Sequence, residues 1–99
     1  MNPGANQLDL NASIAELSAM RYTPAGVPAL DLRLEHESLR QEAGQERQVK
    51  ASVKAVAFGA LAERLAKQAV GSSWRFQGFV ATPRNGKNLV FHIQDFSQD

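Results

Sequence analysis

Five stretches of the chain alternate apolar and polar residues with a period of two, and one stretch between the third and fourth breaks that rhythm. A period of two marks a strand with one face buried, and spacings of three and four mark a helix. From Leu8 the alternation places Leu8, Leu10, Ala12 and Ile14 on one side, with Asp9, Asn11 and Ser13 on the other. "RYTPAGVPA" follows as a connection, because Pro24 and Gly26 suit a turn and Pro28 opposes a helix. "LDLRLEH" resumes with Leu30, Leu32 and Leu34 inward. The polar "ESLRQEAGQER" reads as a long hairpin tip, although its Ala, Glu and Gln also suit a helical turn. The third strand runs through Val49, Ala51, Val53, Ala55 and Ala57. Leu61 and Leu65 then stand four apart in an alanine-rich segment that Gly71 is placed to end. Trp74, Phe76, Gly78 and Val80 make a fourth strand, and Leu89, Phe91 and Ile93 a fifth.

The order is β-β-β-α-β-β. Five short strands leave two costly edges unless the sheet closes, and one helix between the third and fourth strands plugs an open end. The expected fold is therefore all-β: a five-stranded OB-fold Greek-key barrel forming a single domain over residues 1–99. A ferredoxin-like fold needs a second helix, which the pattern does not offer. Ninety-nine residues suffice for one modest core.

With 43% hydrophobic residues, 21% charged residues and a formal net charge of +1, the composition suits a soluble globular protein. The balance argues against a strongly basic, histone-like binder yet permits a local basic face. The absence of cysteine removes disulfides and thiolate chemistry. No segment approaches the roughly 18 apolar residues that span a bilayer. "MNPGANQLDLNA" lacks a secretory leader, so a cytoplasmic location and no membrane partner are expected.

In an OB barrel the face of strands two and three, with the loops between strands one and two and between four and five, is the usual oligomer-binding surface. Seven of the eleven cations fall there by sequence position: Arg21, Arg33, Arg47, Lys50, Lys54, Arg84 and Lys87. The acids read as spread over strand one, the second hairpin, the helix and the tail, which leaves room for a basic stripe. Lys50 and Lys54 are four apart on one strand face, about 13 Å at 3.3 Å per residue, the scale of two to three phosphates. The bland reading of these lysines is a solubilised outer face. Arg84 and Lys87 flank Asn85-Gly86, a pair that suits a tight hairpin, and their bland reading is a solvated turn. The loop's place at the mouth of the groove favours a phosphate-contacting finger instead.

Trp74 and Phe76 read as core, whereas Phe58, Phe79 and Tyr22 are candidate stacking platforms. His36 and His92 have no third histidine or acidic partner at metal spacing and read as structural, so no metal site and no cofactor are expected. Asp31 and Glu35 share a strand face without forming an acid-base dyad, and no nucleophile or phosphate-loop pattern is present. An enzyme is not expected.

"MRYTPAGVPALDLRLEHES", "QEAGQERQV" and "GFVATPRNGKNLVFHI" together resemble the primosomal replication protein N (PriB) family, relatives of bacterial single-stranded DNA-binding protein, over nearly the whole chain. The resemblance implies a cytoplasmic homodimer that binds single-stranded DNA and supports restart of stalled replication forks. The partners it implies are the PriA helicase, the loader protein DnaT and single-stranded DNA-binding protein. Carried over by position, the basic residue ahead of "TPAG" is Arg21, that of "ERQV" is Arg47, and the basic loop tip is Arg84 with Lys87. This chain departs from better-known members in a shorter, less lysine-rich loop, in Lys50 where they carry an aromatic, and in Gln45 where they carry another. Those departures favour phosphate contact over base stacking, and hence strongly salt-dependent binding.

The leading expectation is thus a dimeric single-stranded DNA-binding accessory factor of replication restart, with strand one as the expected dimer edge. A general single-stranded DNA-binding protein is the second reading, and the expected absence of a tail beyond Asp99 counts against it. A protein-interaction barrel with little or no DNA affinity is the third.

Overall fold

The computed structural model describes residues 4–98; residues 1–3 and Asp99, on which the readings of leader and tail partly rest, lie outside them. The elements are β1 (Leu8–Leu17), β2 (Arg21–Tyr22), β3 (Pro28–Glu42), β4 (Gln45–Phe58), α1 (Ala60–Ala66), β5 (Ser73–Ala81) and β6 (Val90–Ser97). The sheet order is β1-β5-β6-β4-β3-β2, and a further pairing of β1 with β3 closes the ring. All pairings are antiparallel except the short parallel contact of β4 with β6, where Ala55 pairs with Phe91 and Val56 with His92. This is the expected OB-fold barrel with its single helix between the third and fourth long strands.

Closure depends on β1 serving two neighbours. Its first half, Leu8 to Ser13, pairs with β5, and its second half, Ser13 to Leu17, pairs with β3. A register shift between Ile14 and Glu16 bends the strand from one partner to the other, as a bulge does. The inward residues make the core: Ile14, Leu30, Leu34, Leu65, Phe76 and Phe91 are fully buried. Burying an aliphatic or aromatic side chain of this size stabilises by about 1.5–3 kcal/mol.

Gly59 starts α1 at φ 73° and ψ −145°, a conformation accessible at low cost only to glycine. It turns the chain sharply from the end of β4 so that α1 lays Ala62 and Leu65 over the barrel's open end. The expected stop at Gly71 is corrected: the helix ends at Ala66, and the Lys67 and Gln68 amides tighten its last turn onto Arg64 and Leu65. The Gly71 amide instead donates to the Ile14 carbonyl at 2.7 Å and ties the following loop to the bend of β1.

Other boundaries also shift. "ESLRQEAGQER" is no long tip, because β3 and β4 stay paired in register out to Glu42 and Gln45. Only Ala43 and Gly44 turn, both at positive φ (52° and 78°), which is the type I′ geometry that matches strand twist. "RYTPAGVPA" carries the short strand β2, with Arg21 opposite Ala29 and Tyr22 opposite Pro28. The last strand starts at Val90 and runs to Ser97, so Leu89 is 62% exposed rather than inward, while Phe96 is buried. Trp74 is only half-buried; its Nε1 donates to Ser72 Oγ at 2.9 Å and its ring meets Phe96 edge-on.

Candidate nucleic-acid interface

The alternation that fills the core also builds the outer face. On β3 it sends Asp31 and Arg33 outward, on β4 Lys50, Ser52, Lys54 and Phe58, on β6 His92, and on β5 Phe79. An open groove of about 1060 Å³ runs over this face. Its floor is β3, β4 and β6, one wall is the end of β1 with Arg21, and the other is the end of β5 at Ala81 with Thr82 and Pro83 beyond it.

Of the expected contact residues, Arg21, Arg33 and Lys54 line this groove. Tyr22 stands beside Arg21 on β2 and is 67% exposed. Lys50 lies farther along β4, in a separate cleft with His36 and Glu37. Arg47 lies farther still, on the β3–β4 arm. Arg84 and Lys87 are exposed on the loop of residues 82–89 that continues from the groove's Thr82–Pro83 rim. The turn there differs from expectation: the Gly86 amide donates to the Pro83 carbonyl at 3.0 Å, so Arg84 and Asn85 are its central pair and Gly86 closes it.

The charge pattern is more mixed than the sequence suggests. Asp31, Glu35 and Glu37 stand on β3 itself, so acids interleave with the cations. Arg21 grips Asp31 through two hydrogen bonds, and Arg33 bridges Glu16 on β1 at 3.0 Å and Glu35 at 2.7 Å. Lys50 approaches Glu37 at 3.4 Å, and Arg47 pairs with Glu42. Among the described residues no carboxylate lies within ion-pair distance of Lys54, Arg84 or Lys87, as the pairs formed are those of Arg21, Arg33, Arg47, Lys50 and Arg75. The hydrogen bonds from Arg21 hold the Asp31 carboxyl below the usual carboxylate range; partial burial opposes this, and the charges of Arg21 and Lys54 add to it.

The rings add a feature that the sequence reading passed over. Phe79 and His92 are cross-strand neighbours with centroids 4.8 Å apart and planes within 14°. Phe58 covers the other side of His92, at 6.0 Å and 29°, and is itself 42% exposed. Phe58 and Phe79 were expected as partly exposed platforms, whereas His92 read as structural. Its position between inward Phe91 and Ile93 was the available signal that it faces outward. His36 is held in place: Nδ1 meets the Asn11 carbonyl at 2.6 Å and Nε2 meets Ser38 Oγ at 2.8 Å. Among the described residues no group of three or more histidine, aspartate or glutamate side chains is placed to hold a metal ion, and no helix is long and apolar enough to cross a membrane.

A barrel of five long strands and the short β2, closed through β1 and capped by one helix, is an OB-fold, and its open groove carries one unpaired cation, Lys54, beside the partly exposed ring of Phe58. Residues 6–95 match the family described as "another single-strand binding protein family". The chain is 47% identical over 90 residues to replication restart protein PriB of Bordetella pertussis, covering 90% of this chain and 84% of that one. It is 35% identical over 91 residues to the PriB of Nitrosomonas europaea, covering 91% and 84%. The crystal structure of PriB from Ralstonia solanacearum superposes with a TM-score of 0.88 at 39% identity, over 96% of this chain and 98% of that one. The single-stranded DNA-binding protein of Thermus aquaticus, 24% identical with a TM-score of 0.77 over 97% of this chain and 50% of that one, shares the fold. The chain belongs to the replication restart protein PriB family, within the wider single-strand binding protein family.

Proposed function

We propose that this protein binds single-stranded DNA in the groove across β3, β4 and β6, and acts in the cytoplasm as an accessory factor of replication restart. The observation that carries the reading is Lys54, a cation with no ion-pair partner among the described residues, on the groove floor four residues from exposed Phe58 on the same strand. Phosphates demand free cations, and a strand without sequence preference demands ring faces on which any base stacks. Arg84 and Lys87 extend the cationic track beyond the rim. Arg21 and Arg33 contribute once phosphate competes with their carboxylates. Arg47, Lys50 and Tyr22 lie outside the groove lining, where a longer strand would reach them. The protein stimulates the PriA helicase and bridges it to DnaT, with single-stranded DNA-binding protein as the other partner at the fork.

The same reading includes a homodimer. The edge of β1 from Leu8 to Leu10 that faces away from β5 has no strand partner among the described residues, because β3 pairs with β1 only from Ser13 onward. An unpaired edge of this kind is satisfied by the same edge of a second copy. Sedimentation should give a dimer, and Asp9→Pro, which removes an amide on the side of β1 away from β5, should reduce it to monomer.

Anisotropy of labelled oligo-dT at several salt concentrations tests DNA binding. Each phosphate neutralised should contribute roughly −0.7 to the slope of log affinity against log salt. A second reading, a protein-docking barrel without DNA affinity, is favoured by the neutralisation of Arg21 by Asp31 and of Arg33 by Glu16 and Glu35. Absence of binding at low salt would select it.

A further inference from the structure

His92 is the titratable ring on the groove floor, and its setting differs from that of the other histidine. His36 engages both ring nitrogens with Asn11 and Ser38. Among the described residues neither nitrogen of His92 has a hydrogen-bond partner, yet neither is sealed from solvent. Its ring faces are occupied instead, by Phe79 at 4.8 Å on one side and Phe58 at 6.0 Å on the other. A ring clamped on its faces, with free nitrogens at its edge, is a pre-oriented hydrogen-bonding group, and pre-orientation lowers the entropy lost on binding.

The backbone beneath it is fixed as well. Gly78 on β5 packs so closely that an added Cβ would stand 1.8 Å from the His92 carbonyl oxygen, and β5 slips register against β6 at Gln77–Gly78. From these observations we infer that His92 is a DNA-contacting residue whose imidazolium edge binds a phosphate of the strand lying in the groove. The inference rests on the single-stranded DNA reading given above.

The charges around the groove decide what would pair with that edge. The acids facing it are Glu16 on β1 and Asp31 on β3, engaged by Arg33 and Arg21 respectively; β4 contributes Lys54, and β5 contributes no charged residue to the lining. The rim loop adds Arg84 and Lys87. No free carboxylate is therefore at hand for an imidazolium, and an incoming phosphate supplies the missing counter-charge. A phosphate favours the charged form of an imidazole over the neutral one, so DNA affinity should be higher at pH 5.5 than at pH 7.5.

The test is oligo-dT anisotropy at pH 5.5 and 7.5 and constant ionic strength, on the wild type, His92→Phe, His92→Gln and His36→Gln, with thermal melts to verify folding. Thymine does not titrate in this window. The wild type and His36→Gln should bind on the order of threefold more tightly at the lower pH, the scale of one exposed charge pair. His92→Phe, which keeps the ring stack, and His92→Gln should bind equally at both. Equal pH dependence in the wild type and both folded His92 variants would overturn the inference while leaving DNA binding intact. Absence of wild-type binding at both pH values would overturn the DNA reading and this inference with it.

Discussion

Arg21 on β2 and Asp31 on β3 form a two-pronged ion pair at the groove wall, with Nε 2.7 Å from Oδ2 and Nη2 3.1 Å from Oδ1. The planar guanidinium fork matches the carboxylate, so the pair also fixes where each charge sits. About half of each side chain remains exposed, which limits its contribution to about 1 kcal/mol or less.

Asp31→Asn should therefore raise affinity for single-stranded DNA severalfold, because it removes a groove acid and frees Arg21. Arg21→Ala should weaken binding more than loss of an isolated cation would, since Asp31 is left uncovered. The Arg21→Ala/Asp31→Ala double variant should recover part of that loss. Additive effects in anisotropy titrations would rule out the coupling.

The same pair sets a pH dependence of stability. Its folded carboxyl is held below the unfolded value of about 3.9, so its contribution is full above that value and is lost as pH falls through the depressed one. The stability gap between the wild type and Asp31→Asn, read by urea denaturation, should be constant from pH 5 to 7 and close below about pH 4.

Arg84→Ala/Lys87→Ala should weaken DNA binding and flatten the salt slope by about 1.4, two phosphate contacts' worth. Both residues are exposed and unpaired, so stability should stay within about 0.5 kcal/mol of the wild type. A sharp fall in Tm with affinity unchanged would exclude the finger.

Gly78→Ala should cost at least about 2 kcal/mol in urea denaturation, because backbone rather than a flexible side chain must give way to the added methyl. The Phe91 ring, 2.9 Å from the same Cβ position, blocks the alternative path. A loss under about 0.5 kcal/mol would mean that β5 and β6 separate freely at the bulge.

Ala43→Asn should strengthen the β3–β4 arm by about 0.5 kcal/mol, since asparagine tolerates the positive φ of the type I′ turn better than alanine. Slower amide exchange between Leu39 and Gln48 reads this directly, because the arm can open without unfolding the barrel.

Period-two alternation by itself determined the long strands and most of the core, and its one break, with Leu61 and Leu65 four apart, determined the single helix, since strand geometry sends alternate side chains to opposite faces and helix geometry brings every third or fourth to one. Leu30, Leu32 and Leu34 were legible as core for this reason, and so was the closed barrel implied by the order of elements. Segments such as "TPAGVPALDLRLEHES" carried the family. The polar arm from Glu37 to Arg47 was not legible as strand, because β3 and β4 support each other there by backbone pairing rather than by a buried face. Leu89 read as core because it is apolar, yet it falls one residue before pairing begins. Which charges are free was decided only in three dimensions: Asp31 reaches Arg21 across a turn, and Glu16 reaches Arg33 across two strands that meet only when the barrel closes. The Phe58–His92–Phe79 stack likewise spans three strands brought together by closure. Local pattern encodes which way a side chain faces; chain closure alone decides what it meets there.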